Sequence, residues 1–267
     1  MRLFTPLRPR PEAFLARANP AAKLGAAAIL MVALFVSADV VTATIVLAGL
    51  LAAVPASGLA ASDLLNRTWP ILLAALSVGV LNAVFAAETV GEVVARIGPF
   101  GIGTGNLVSG LGLGLRLLGI ALSGVLALVT TDPTDLADSL VQQLRLPSRF
   151  AIGALAAARQ LPILATEWQT LSLARRARGV EAGRSPVEAM RLFASKLLAL
   201  LIAGVRRGTR LAMAMESRGF GTRACRSVAR PQVVRQADWA LIGAAAVLGV
   251  AAIGISVGIG TWEFIFS

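Results

Sequence analysis

Two short segments that pair an arginine with a following glycine have the clearest chemical potential in this chain. They are Ala177-Arg178-Gly179 and Ser217-Arg218-Gly219, and their arginines lie 40 positions apart. A guanidinium can donate two parallel hydrogen bonds to one carboxylate, which a lysine ammonium cannot reproduce. The two segments therefore predict two places at which an acidic groove on a partner protein can bind.

A purely structural role is the alternative for the same residues. Each segment follows a run of good helix formers, and a glycine just past a helix end adopts the left-handed conformation without Cβ strain. A basic side chain in the last turn also meets the negative end of the helix dipole. One such helix end alone is best explained as a cap, and the duplication within a strongly basic region favours docking.

Enzyme chemistry has little support in the sequence. The chain has no histidine and one cysteine, Cys225, so it contains no Cys/His cluster for zinc and no intramolecular disulfide. No phosphate-binding loop of the G-x-x-x-x-G-K-[ST] form occurs, and no nucleophile lies near a base in the sequence. The residues thus indicate no catalytic activity, no cofactor and no metal site.

Two weaker patterns have simple structural explanations. Asp132, Asp135 and Asp138 are spaced like metal ligands, but acidic residues at the start of a helix also complement its dipole. The glycines of the 101–105 segment lack the spacing and the βαβ context of a dinucleotide fingerprint. We therefore expect a helix that opens at Asp132-Pro133 and a plain loop over residues 88–105.

The composition identifies an integral membrane protein. The chain is 57% hydrophobic and 15% charged, and its mean hydropathy is +0.78, whereas soluble domains are about a quarter charged. The apolar stretches predict an all-α, polytopic fold with about five transmembrane helices, of which the first two are short for a bilayer. These stretches are residues 21–36, 40–54, 69–87, 107–130 and 240–260.

The distribution of basic residues predicts the topology. Residues 131–235 contain 17 of the 25 lysines and arginines and have a net charge of +10. Basic residues collect on the cytoplasmic side, so the N-terminus is predicted to be cytoplasmic. The region lacks the interleaved aromatic residues of nucleic-acid binders, which argues against a nucleic-acid partner.

Four segments follow from this topology. They are a cytoplasmic N-terminal segment at 1–20, four transmembrane helices in 21–130, a cytoplasmic helical domain at 131–237, and a final transmembrane helix with its tail at 238–267.

The cytoplasmic helical domain is predicted to consist of amphipathic helices. The Leu144–Pro147 break ends the first, a second runs from Ser148 to about Ala158, and Pro162 kinks or restarts a third that ends at Gly179. Ser185 to Glu188 matches a capping box with proline at the first helical position, which opens a helix to Arg218. The apolar part of this last helix is too short to span a bilayer.

Several of these segments together resemble the transmembrane T component of prokaryotic energy-coupling factor (ECF) transporters. The resemblance covers most of the chain, is clearest from about 128 to 223, and includes one departure, Ser217 in place of alanine in the second Ala-Arg-Gly motif. The segments that carry it are Asn19-Pro-Ala-Ala-Lys23, Thr130-Thr-Asp-Pro-Thr-Asp-Leu-Ala137, Leu144-Arg-Leu-Pro147, Ala174-Arg-Arg-Ala-Arg-Gly179 and Ala214-Met-Glu-Ser-Arg-Gly-Phe-Gly221.

The resemblance implies a multi-pass protein of the prokaryotic cell membrane with a coupling-helix domain. It implies two ABC-type ATPase partners, one docked at each motif through Ala177, Arg178 and Gly179 or through Ser217, Arg218 and Gly219. It also implies a membrane-embedded S component that binds a vitamin or a transition-metal ion and contacts the amphipathic faces of residues 133–218. ATP hydrolysis would occur in the partners, so the chain itself is not expected to be an enzyme.

A permease subunit that binds its own substrate, or a membrane scaffold, is the other class of function. Polar groups in mid-membrane would favour a permease, and Arg116 and Asn82 are the only candidates in the sequence. Arg116 could line a seam with a partner or extend to the membrane surface. The small residues of the 107–130 helix could also contact the S component.

Overall fold

The computed structural model describes residues 12–86, 91–97, 100–180, 185–221, 228 and 230–262. The chain divides into two compact units. The first, here called the membrane unit, contains Met1–Ser139 and Gln232–Ser267, and the second, the hairpin unit, contains Leu140–Pro231. The fold is mainly α-helical, as the composition predicts.

The membrane unit contains most of the apolar helices. A 3₁₀ turn at Pro55–Ser57 follows α3. The described helices are α1 (Phe14–Arg17), α2 (Pro20–Val36), α3 (Val40–Ala53), α4 (Ala61–Val84), α5 (Thr104–Val129) and α9 (Gln236–Ile259). Helix α6 (Pro133–Gln142) begins in this unit and crosses into the hairpin unit.

Two of these helices, α5 and α9, are long and apolar enough to cross a membrane. Three further apolar helices are shorter, namely Pro20–Val36, Val40–Ala53 and Thr68–Val84. Each of the five predicted spans thus coincides with a helix, while the count of five crossings stays a prediction.

The core of the membrane unit lies where α2, α3, α5 and α9 meet. Its centre is formed by aliphatic side chains such as Leu34 and Val46, which are almost completely buried, and Ala252 of α9. Small residues on α9 let it lie close to α2: a Cβ on Gly249 would be 3.3 Å from the Cβ of Ala33. The core therefore depends on small and aliphatic residues at the helix contacts, as in other membrane bundles.

Helices α4 and α5 approach each other through glycine. A Cβ on Gly79 would lie 2.7 Å from the carbonyl oxygen of Gly110, and a Cβ on Gly114 would lie 3.3 Å from that of Ala75. Elsewhere on α5, a Cβ on Gly119 would meet Leu34 of α2. Gly110 and Gly119 are thus buried against helices of this chain, and a contact between the small residues of α5 and an S component stays a prediction.

The side chain of Asp39 caps the start of α3. Asp39 accepts a hydrogen bond of 2.7 Å from the backbone N–H of Thr42 at the start of α3, and its carboxylate also accepts from Ser37 and, at 2.6 Å, from Ser256 of α9. Burial opposes ionisation of this carboxyl, but these hydrogen bonds outweigh it and hold the pKa of Asp39 below its ordinary 3.8.

The loop predicted over residues 88–105 is wrong in part. Strands β1 (Val93–Ile97) and β2 (Phe100–Gly103) form an antiparallel pair in which Ile97 is opposite Phe100. The β-branched residues of β1 favour an extended backbone. The prediction weighted the glycines and missed the short β-branched run before them.

The hairpin unit is formed by two long helices, α7 (Ser148–Ala177) and α8 (Pro186–Ser217). The predicted interruption between Ala158 and Pro162 is absent, because α7 continues through Pro162. Proline removes one hydrogen bond to the carbonyl four residues earlier, and that residue, Ala158, is exposed, so solvent can satisfy it. Ser185 precedes α8 as predicted, but its side chain makes no capping hydrogen bond.

Candidate docking tips

The first predicted segment forms a closed helix end. Helix α7 stops at Ala177, Arg178 is the C-cap residue, and Gly179 has a φ of +73°. The N–H of Gly179 donates to the carbonyl of Arg176, and that of Val180 to the carbonyl of Arg175, both at 2.9 Å. This pair of hydrogen bonds is the Schellman motif.

The second segment repeats the arrangement at the end of α8. Arg218 is the C-cap residue and Gly219 has a φ of +76°. The N–H groups of Gly219 and Phe220 donate to the carbonyls of Glu216 and Met215, again at 2.9 Å. The prediction that both segments are helix ends with left-handed glycines is confirmed.

We call the two ends the Arg178 tip (residues 177–179) and the Arg218 tip (residues 217–219). Both arginines are exposed, and within the described residues neither side chain makes a hydrogen bond or an ion pair. The last carbonyls of each helix already receive backbone N–H groups, so the guanidinium is not needed to satisfy them. Within the described residues, none of its five donors is therefore in use.

The serine that replaces alanine in the second segment adds no free polar group. The Ser217 hydroxyl donates to the carbonyl of Ala214 at 3.0 Å, within the helix. Such back-bonding is the usual way for a helical serine to satisfy its hydroxyl. The departure from the alanine pattern therefore leaves the presentation of Arg218 unchanged.

The two tips lie at opposite ends of an antiparallel helix pair. Near the C-terminal end of α7, Arg175 donates to the hydroxyl of Ser195 in the first third of α8 at 2.9 Å. At the other end, Arg149 in the first turn of α7 donates to the carbonyl of Gly221 at 3.2 Å. Because 29 residues of helix rise roughly 43 Å, the tips are separated by about 40 Å along α7.

Polar and aromatic contacts hold the two helices together. Arg207 of α8 pairs with Glu167 and donates to Gln160 at 3.0 Å, so one guanidinium joins two turns of α7. The ring of Trp168 packs edge-on against that of Phe193 at 5.3 Å. Lys196 lies 5.5 Å from the Trp168 ring, a cation–π contact. These contacts oppose sliding of one helix along the other, and sequence periodicity gave no signal for them.

Helix α8 leaves a broad apolar surface uncovered. None of its residues is buried. The exposed apolar side chains in its middle are Leu197, Leu198, Leu201, Ile202 and Val205. A group of large exposed apolar side chains on one helix is typical of a partner or membrane contact.

A helix junction in the membrane unit accounts for the Asn19–Lys23 segment. The side chain of Asn19 accepts from the N–H of Ala21 at 2.9 Å and so caps the start of α2. The buried ammonium of Lys23 donates to the carbonyl of Thr130, at the end of α5, at 2.8 Å. The carboxylate of Asp238 accepts the N–H of Asn19 at 2.7 Å. The segment therefore ties the start of α2 to the end of α5 and the start of α9.

Arg116 has a structural role inside the membrane unit. Its guanidinium donates to the carbonyl of Phe35 at 2.6 Å and lies 5.4 Å from the centre of the Phe35 ring. Phe35 is in the last turn of α2, where carbonyls lack partners within the helix. Arg116 thus caps α2 rather than lining a seam or extending to the surface, and Asn82 is exposed on α4.

Two of the three aspartates near 132 lie at the start of α6. Asp132 precedes α6 and accepts from the N–H of Thr134 at 2.7 Å, and Asp135 lies in the first turn. Within the described ranges no three His, Cys, Asp or Glu side chains are grouped so as to hold a metal ion. Capping by Asp132 and the helix dipole at Asp135 thus account for two of these acids, and Asp138 lies further along α6.

Comparison with known proteins assigns the family. A family model described as cobalt transport protein (CbiQ) matches residues 11–227, about four-fifths of the chain. The chain belongs to the CbiQ family. The residues that the family model matches include both arginine tips and the Asn19–Lys23 segment.

Several similar proteins are named energy-coupling factor transporter transmembrane protein EcfT. The protein of Bacillus subtilis (strain 168) is 30% identical over 60% of this chain and 62% of its own length. Those of Heliobacterium modesticaldum and Thermosediminibacter oceani are 28% and 29% identical, over 84% and 89% of this chain and 86% and 91% of their own lengths. The prediction of an ECF transporter T component, a membrane protein of a transport system, is confirmed.

Proposed function

We propose that this CbiQ-family chain is the coupling subunit of an ECF-type ABC importer. It transmits ATP-driven movement of two ATPase subunits to a substrate-binding S component, which takes up a vitamin or a transition-metal ion. The observation that carries this proposal is a pair of helix ends closed in the same way, at opposite ends of the α7–α8 hairpin. Each presents an exposed arginine whose side chain has no partner among the described residues.

Two ATPase subunits suit this geometry better than one. Each tip offers a single exposed guanidinium, which enters an acidic groove and forms a bidentate pair there. A separation of about 40 Å is too large for one groove. The ATPase-docking residues are therefore Ala177, Arg178 and Gly179 for one subunit and Ser217, Arg218 and Gly219 for the other.

The proposed contact with the S component is the apolar surface of α8. Its exposed leucines, such as Leu197 and Leu201, lie between the two tips along the hairpin. A displacement of either tip would then reach the S component through α7 and α8. The Arg207–Glu167 pair and the Trp168–Phe193 contact make the two helices move together.

In the membrane, we propose five crossings with a cytoplasmic N-terminus. The five apolar helices and the concentration of basic residues in 131–235 support this topology. The chain itself has no phosphate-binding loop, so ATP hydrolysis is assigned to the partners. The family description refers to cobalt, which supports a transition-metal ion, while the names of the relatives give no substrate.

Co-purification of the tagged chain with its two ATPase subunits tests the proposal. The variants are Arg178→Ala, Arg218→Ala, the double variant, and Arg178→Lys. We expect each single alanine variant to lose one ATPase and the double variant to lose both. The lysine variant keeps the charge but not the planar fork, so it should also bind more weakly.

Arg206→Ala is the matched control, because Arg206 is an exposed arginine in the middle of α8. It should retain both ATPases. If the double variant retains them as firmly as the wild type, the arginines are helix caps only and the two-tip proposal is wrong.

A further inference from the structure

The turn between α6 and α7 lies beside the Arg218 tip. This α6–α7 turn comprises residues 144–150, from the Leu144–Pro147 break to the first residues of α7. Arg149 donates from Nη2 to the carbonyl oxygen of Gly221 at 3.2 Å. Gly221 has a φ of +92° and comes three residues after Arg218, and a Cβ there would lie 2.8 Å from the Arg149 guanidinium. The turn is therefore in direct contact with the residue that lies two positions after the Arg218 tip.

The turn presents three large apolar side chains to the outside. Phe150 is 75% exposed, Leu144 is 59% exposed and Leu146 is 43% exposed. An aromatic side chain with neighbouring leucines and arginines is the composition typical of the energetic centre of a protein interface.

The backbone of the turn is held in an unfavourable conformation. Arg145 has a φ of +54°, and among the described residues it is the only one other than glycine with a positive φ. A left-handed conformation at such a residue costs about 1–2 kcal/mol, and strain of this kind is concentrated at functional sites. A hydrogen bond of 3.1 Å from the N–H of Leu146 to the carbonyl of Leu140 closes the turn.

The charges near the turn favour an acidic partner. Arg145, Arg149 and Arg218 are exposed, and Glu216 is the one acidic residue in the described segments 140–150 and 214–221. A surface that combines three guanidiniums with an exposed phenylalanine complements a groove with carboxylates and an apolar floor.

We propose that the Arg218 tip and the α6–α7 turn form one composite docking surface for a single ATPase subunit. Arg218 binds the acidic groove, Phe150 is the apolar anchor beside it, and Arg149 is a positioning residue that holds the tip against the turn. This inference rests on the proposed function, because it assumes that the Arg218 tip binds an ATPase.

The test isolates one tip at a time. Affinity for the purified ATPase subunits is measured with the chain in lipid nanodiscs, in two backgrounds. In Arg178→Ala, where the Arg218 tip alone remains, Phe150→Ala should weaken binding about tenfold or more, as expected for an aromatic anchor. Phe150→Glu should weaken it further, because it adds a negative charge opposite an acidic groove. In Arg218→Ala, where the Arg178 tip alone remains, neither change should alter the affinity.

Leu161→Ala is the matched control, because Leu161 is also on α7 and is 65% exposed. It should leave the affinity unchanged in both backgrounds. Wild-type affinity for Phe150→Ala in the Arg178→Ala background overturns the composite surface, and so does an equal loss in both backgrounds. If Arg178→Ala and Arg218→Ala each bind like the wild type, the proposed function itself is wrong, which is a separate result.

Discussion

Replacing Gly110 with alanine should force α4 and α5 apart. A Cβ at Gly110 would collide with the carbonyl oxygen of Gly79, and it would lie 3.0 Å from the Cβ and 3.3 Å from the backbone nitrogen of Ala83. Carbon atoms in favourable contact are about 3.5–4.0 Å apart. The obstacles are helix backbone and a methyl group, neither of which can rotate away.

The expected loss follows from these distances. Insertion of one methyl group into a tightly packed contact costs about 1–3 kcal/mol. Alanine also gains about 1 kcal/mol over glycine through its helix propensity, which partly hides the loss. Gly254→Ala on α9 is the control for this gain in helix propensity, because a Cβ at Gly254 has no atom within 4 Å and so adds no packing loss. The difference in unfolding free energy between the two variants isolates the packing loss and should be about 1–3 kcal/mol.

Thermal unfolding of the purified chain in detergent measures this difference. For a chain of this size each kcal/mol corresponds to a shift in Tm of roughly 2–4 °C, so Gly110→Ala should unfold well below Gly254→Ala. Equal Tm values for the two variants would refute the close packing of α4 on α5. If, in addition, only Gly110→Ala lost S-component binding, the small residues of α5 would serve a partner instead.

Three further predictions concern helix ends. Asp238→Ala removes the acceptor of two backbone N–H groups at the helix junction and should lower the unfolding free energy by about 2–4 kcal/mol, measured by denaturation in mild detergent. Because hydrogen bonds lower the pKa of Asp39 below 3.8, its contribution to stability is complete above about pH 4 and is lost as pH falls through the folded-state pKa. Asp39→Asn should therefore flatten the acid side of a plot of Tm against pH. Gly179→Ala places a side chain at a φ of +73° and should weaken ATPase retention, whereas Gly204→Ala, within α8 and in open space, should not.

Local features of the fold were readable from the sequence. The helix ends at Gly179 and Gly219 and the cap at Asn19 depend on residues within five positions of each other, so residue type alone decides them. At Ser185 the predicted start of a helix is correct, but the predicted capping hydrogen bond is absent. Helix formation there follows from proline at the first position and the good helix formers after it, with or without the cap.

The polar contacts between residues far apart in the chain could not be predicted from the sequence. Arg116 caps a helix whose last turn lies 81 residues earlier, and Lys23 reaches a carbonyl 107 residues later. Each contact depends on which helices become neighbours, and apolar periodicity in a membrane helix gives only weak information on its partners, since lipid and protein are equally apolar. A buried charge in a membrane span predicts that some polar group binds it, but the sequence does not indicate which group.

The closure of the two tips bears on whether their arginines are caps or docking groups. A basic residue at a helix C-terminus gains about 0.3–1 kcal/mol from the dipole, and lysine gains the same. The carbonyls that a capping side chain would otherwise satisfy already bind the backbone N–H groups of Gly179 and Gly219 and of the residues after them. Helix stability therefore accounts for a positive charge at these positions and not for a guanidinium. What the guanidinium adds is a planar pair of donors, and within the described residues no acceptor binds them, which is the observation that the docking proposal explains and the capping explanation does not.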